Sequence, residues 1–220
     1  MKVDILIPTT LSDITLEQYQ KFLKLDNDEN KNSSFLLHKM IEIFCDLNLK
    51  DIAKIKFSSV KNVTKELDNI FAQKPKLKEA FMLDGKEFGF IPTLDEISLG
   101  EYVDLDQTLS DWQEMHKAMA VLYRPVTHRD KNRYLIEDYE GDKYAEVMKK
   151  APLDAVFGSI VFFYNLNNEL LEITLNSLKK EMNQETNTVP KQILEESGIG
   201  INQFMDWHKV MSEGLMKLQT

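Results

Sequence analysis

The sequence predicts an α+β fold, mainly α: a helical domain around a long central helix, with a small antiparallel β-hairpin sheet. Three observations predict it. Residues Pro152 to about Met182 read as one long helix, apolar on nearly every face at first (Val156, Phe157, Ile160, Val161, Phe162, Phe163), as a helix buried by its neighbours would be. Apolar residues recur at helical spacing behind capping residues along most of the chain. Asp84-Gly85 stands between two short alternating runs, a strong signal for a tight hairpin. The predicted organisation is a mainly helical domain over 1–182, a linker over 183–190 and a C-terminal amphipathic segment over 191–220.

In chain order, Val3 to Ile7 alternates and stops at Pro8, which suits a short edge strand. Thr15 is placed to cap a helix carrying Leu16, Tyr19, Phe22 and Leu23 on one face, with Asp13 as a second capping oxygen. Asp26 to Ser33 is a polar loop. Ser34 opens a helix with Phe35, Leu36, Met40, Ile43, Phe44 and Leu47 in a wide apolar stripe. A short helix follows at LKDIAKI, and Ser58 or Ser59 begins another, with Val60, Val63, Leu67, Ile70 and Phe71 inward and Pro75 beyond its end.

Ala80–Leu83 and Lys86–Ile91 form the hairpin, with Phe81 and Leu83 facing away from Met82. The N-terminal strand is the expected third member, since an isolated two-stranded hairpin is marginal in water. Thr93 or Ser98 caps a short helix. Ser110 caps a longer one with Trp112, Met115, Met119 and Leu122, ending at Arg124 because residues before proline avoid the helical region. The stretch after Pro125 reads as an exposed loop or a second hairpin turning at Asp130 to Asn132, and Lys143 to Lys149 as one or two helical turns. In the long helix, Pro152 suits the first turn and Asp154 complements its positive end. Leu171, Leu175, Leu178 and Met182 then narrow to a stripe. NQETNT, from Asn183 to Thr188, is the linker. The final helix carries Phe204, Trp207, Met211, Leu215 and Leu218 on one stripe, the expected partner-binding face. Met205, Met211 and Met216 would make that contact adaptable.

The 220 residues carry a net charge of −9, which argues against a general binder of phosphate backbones. The nearest basic patch, Arg124 to Arg133, is interrupted by Asp130. Cys45 is the single cysteine, so neither a disulfide framework nor a cysteine zinc site is expected. Asp4 and Pro8 interrupt what would be a signal peptide's apolar region. The longest apolar run, Ala155 to Tyr164, is about half of the 20 residues needed to cross a bilayer. The expectation is therefore a protein with no membrane or nucleic-acid partner.

No reaction chemistry is legible. His38, His116, His128 and His208 lack the spacing of a metal site. Asp95, Glu96, Glu101, Asp104 and Asp106 form the densest acidic stretch, but not with the alternation of a calcium loop, and they read as a solvated surface. There is no phosphate-cradling loop and no nucleophile elbow. Arg124 is the most distinctive polar residue; the expected role is to satisfy the last carbonyls of its helix, the alternative to clamp a carboxylate. No catalytic, metal or cofactor-binding residue is predicted, and no cofactor.

Four stretches, ITLEQYQKF, FMLDGKEFGFIPTLDEISLGEYVDLD, MHKAMAVLYRP and PLDAVFGSIVFFYNL, occur in an order that resembles a group of tailed-bacteriophage proteins known as tail assembly chaperones or minor structural proteins. GIGINQFM near the C-terminus is in keeping with it. The resemblance spans roughly Ile14 to Leu178, and no functional residue carries over with it. It implies a non-enzymatic role in virion assembly, through contacts with other phage structural or tail proteins and with copies of itself. The setting would be the host cytoplasm, with the virion as a further location. The alternative is a cytoplasmic regulatory adaptor that binds a host or phage protein. An enzyme with a carboxylate metal site at Asp104 and Asp106 is a third reading.

Overall fold

The computed structural model describes residues 6–26, 33–131 and 133–184, apart from the side chains of 49, 57, 167, 170, 171 and 174–184. The described residues form an α+β fold that is mainly α. They comprise eight helices and a four-stranded antiparallel sheet of order β1-β2-β3-β4. The chain divides into two compact units, Met1–Gly158 and Ser159–Thr220.

The first unit opens with a 3-10 turn, Leu11–Asp13. The Asp13 carboxylate accepts hydrogen bonds from the backbone N–H groups of Thr9 and Thr10, both at 2.9 Å. Helix α1 (Leu16–Leu23) starts as expected at Thr15, whose hydroxyl accepts from the Gln18 N–H while Gln18 Oε1 accepts from the Thr15 N–H. Such a reciprocal box satisfies two donors the helix cannot. Helices α2 (Ser34–Phe44), α3 (Leu49–Ile52) and α4 (Phe57–Phe71) follow. The start of α4 differs from expectation: the chain turns helical at Phe57, ahead of Ser58 and Ser59, and Lys56 at its N-cap gives no side-chain bond. Val60, Val63, Leu67 and Ile70 are buried along one face.

Strands β1 (Ala80–Leu83) and β2 (Lys86–Phe90) turn at Asp84 and Gly85, with φ of 48° and 79°. Two consecutive left-handed residues match the right-handed twist of the strands they join. The expected third strand is not the partner of this hairpin. Leu6 and Ile7 are not in a strand, residues 3–5 lie outside the described residues, and the place beside β2 is taken by β3 (Tyr123–Asp130). Strand β4 (Arg133–Ile136) completes the second hairpin.

Helix α5 (Leu99–Thr108) and helix α6 (Met115–Leu122) lie between the two hairpins in sequence. Ser110 caps neither. It lies in the turns that precede α6, which begins at Met115 with Glu114 at its N-cap. The chain leaves α6 at Leu122 and becomes strand at once, so Tyr123, Arg124 and Pro125 pair with Phe90, Gly89 and Phe88. The pre-proline preference for extended backbone ends the helix here, as expected, but it opens a strand and not a loop.

After the short helix α7 (Ala145–Met148), helix α8 (Leu153–Gln184) begins in the first unit and continues in the second. Its start is stitched to that of α1: Leu153 N–H donates to Ile14 O at 2.9 Å, and Leu16 N–H to Ala151 O at 3.0 Å. Val156 and Phe157 are buried, whereas Val161 and Phe162 are half-buried. Tyr19 is the hub of an aromatic core, edge-on to Trp112 at 5.0 Å and to Phe157 at 5.3 Å. A second cluster, Phe81, Phe90 and Tyr123, packs under the sheet, and the Tyr123 hydroxyl donates to Lys78 O at 2.7 Å. Asp154 receives Lys78 Nζ and Ser12 Oγ, each at 2.6 Å, in addition to its place at the helix start. Asn183 and Gln184, expected in the linker, continue α8, and 185–220 lie outside the described residues.

Candidate functional site

The most organised polar group in the first unit is built from α5, β3 and the segment after β4. Ser98 caps α5, its hydroxyl accepting from the Glu101 N–H at 3.3 Å, and Glu101 Oε2 accepts from the Ser98 N–H at 2.6 Å. This arrangement turns Glu101 back over the helix start. There its Oε1 meets Arg124 Nη2 at 2.7 Å, with both side chains under a tenth exposed. The Tyr139 ring lies 5.8 Å from the guanidinium carbon, and its hydroxyl donates to Asp104. Burial, and then the Asp104 carboxylate, pushes the Tyr139 hydroxyl pKa up. Arg124 Nε has no hydrogen-bond partner.

Two expectations are corrected here. Arg124 does not close the end of α6: it lies in β3 opposite Gly89 and clamps a carboxylate of its own chain. Glu101 does not belong to a solvated acidic surface, because it is 5% exposed, while Asp95 and Glu96 are exposed and Asp104 and Asp106 half-buried. The spacing Ser98-x-x-Glu101 was the available signal for a buried-back glutamate. Nothing local in the sequence points from Glu101 to Arg124.

A cavity of about 450 Å³ opens over this pair. Ile91, Ile97 and Leu135 give it apolar walls, and Glu96, Glu137 and Asp138 bring carboxylates to its lining. The Tyr144 hydroxyl, and after it Lys143, hold the Glu137 carboxyl below the usual carboxylate range. Inside the cavity the Glu101–Arg124 pair is charge-neutral, so the carboxylates set the sign of the field.

The other expected candidates are dispersed. His116 is buried, His38 half-buried and His128 exposed on β3; His208 lies outside the described residues. Among the described residues no group of three or more His, Cys, Asp or Glu could hold a metal ion. Arg129 does not extend a basic patch, since it pairs with Glu87 at 2.6 Å and stacks on Tyr134. Burial pushes the Cys45 thiol pKa up to about 11, which leaves it unreactive at neutral pH. No described helix is long and apolar enough to cross a membrane. The predicted partner-binding residues Phe204, Trp207, Met211, Leu215 and Leu218 all lie outside the described residues.

Compared with family models, with curated proteins and with solved structures, the chain matches none.

Proposed function

We propose that this chain is a non-catalytic interaction protein of tailed-bacteriophage morphogenesis, acting in tail assembly as a chaperone or as a component of the virion. The observation that carries the interaction reading is on α5. Glu101 and Leu105 bury one face of that helix, while Leu99, Tyr102 and Val103 stand 78%, 52% and 39% exposed along another. Apolar residues left in water at positions i, i+3 and i+4 form a stripe of the kind that partners cover. The resemblance of the segments in ITLEQYQKF through PLDAVFGSIVFFYNL supplies the setting. A chaperone would use such stripes transiently to shield a partner; a subunit would bury them for good.

Quantitative mass spectrometry of purified particles, together with affinity capture of the full chain from infected cells, tests this. Recovery of tail proteins with the chain is the expected result. Fixed copy number in particles identifies a subunit, and absence from particles identifies a chaperone. Capture of a host regulatory protein with no virion protein would overturn the proposal in favour of an adaptor.

A further inference from the structure

We propose that the cavity above the Glu101–Arg124 pair is a docking site for a partner polypeptide that brings an aliphatic or aromatic side chain flanked by lysine or arginine. The proposal rests on the interaction reading above and names the partner's chemistry. The walls Ile91, Ile97 and Leu135 are aliphatic, and Leu135 is 61% exposed with nothing covering it among the described residues. Glu96 and Asp138 are exposed at the cavity, and Glu137 completes a rim of one sign. An anionic occupant meets these three carboxylates, and Arg124 offers it no net attraction because Glu101 already neutralises the guanidinium. A cationic flank on the occupant is therefore the complementary choice.

The floor adds a hydrogen-bonding capacity suited to a peptide. Arg124 is 8% exposed and spends Nη2 on Glu101 while Nε stays unpartnered. A backbone carbonyl of the occupant supplies the acceptor that a buried donor requires. A small molecule fits less well. Pro92, Thr93, Glu96, Ser98 and Asp138 line the site yet are themselves exposed, whereas small-molecule pockets enclose most of their ligand.

The test is fluorescence anisotropy of the full chain with three labelled peptides of equal length. The first carries Lys-Leu-Phe-Lys between glycines, the second exchanges both lysines for glutamates, and the third exchanges leucine and phenylalanine for serines. The first should bind about tenfold tighter than either control. Leu135→Asp and Glu96→Lys should each weaken it by about tenfold, and thermal melts should be unchanged because both positions are exposed. Equal or tighter binding of the glutamate peptide overturns the proposal, as does unchanged binding by both variants. Peptide selectivity without recovery of tail proteins removes the morphogenesis reading and leaves the site standing. Recovery of tail proteins without peptide selectivity does the reverse.

Discussion

At the scale of single residues, Arg124 and Glu101 show how a polar pair can be buried away from competing water. The pair is held by a helix cap on one side and a β-ladder on the other, so neither side chain can swing out to find another partner. Removing one member of a buried pair leaves the other charge uncompensated, at a cost of about 3–5 kcal/mol, whereas exchanging both for apolar residues is often near neutral. Arg124→Met alone should therefore destabilise the chain by about that amount. Adding Glu101→Met should recover a large part of the loss, and urea unfolding of both single variants and the double variant checks it. The half of this pair that was legible in the sequence is the local half. Ser98 with Glu101 three residues on is a recognisable cap. The arginine comes from a strand that periodicity could not place, because Tyr123-Arg124-Pro125 is too short to separate a helix end from a strand start.

At the scale of elements, close approach of backbone decides where side chains are forbidden. A Cβ at Gly158, near the start of α8, would stand 2.4 Å from the Lys76 carbonyl oxygen, a backbone atom that cannot rotate away. Gly158→Ala should destabilise the protein by about 1–3 kcal/mol, the usual cost of overpacking, read as a lower midpoint in thermal unfolding followed by circular dichroism. At Gly89 of β2 the space is filled by the Tyr134 ring, whose hydroxyl donates to Phe90 O at 2.8 Å and to Glu79 O at 3.0 Å. The first hairpin was plain from Asp84-Gly85, and α1 from Thr15, because turn and cap chemistry is written within a few residues. The pairing of β2 with β3 was not, because nothing within either segment specifies a partner separated from it by two helices. The bulge between Val126 and His128 further hides the alternation of β3.

At the scale of the whole molecule, burial of a titratable group sets part of the response to pH. His116 is buried on α6, with Gln20 Nε2 3.4 Å from its Nδ1. Burial, and then Lys149, hold its pKa below the ordinary value of 6.5, with Lys117 acting the same way and Glu114 and Glu146 opposing. The folded chain thus takes up a proton at this ring less readily than the unfolded chain. The stability it contributes is full above the ordinary value and is lost as pH falls toward and through the lowered one. Urea unfolding should show stability falling from about pH 7 to about pH 5, with a shallower fall for His116→Gln. The fold class was readable at this scale because helical spacing recurs along most of the first unit. The cavity was not readable, because its walls come from three separate segments that only the sheet order brings together.

Tyr134 belongs to the outermost strand, yet its hydroxyl is fastened to carbonyls on the far side of β3. The outer hairpin cannot be exchanged with that of a second molecule until this phenol unlatches and the slot at Gly89 empties. The sheet is bolted shut along that border, and a stray strand from another chain finds no easy foothold there.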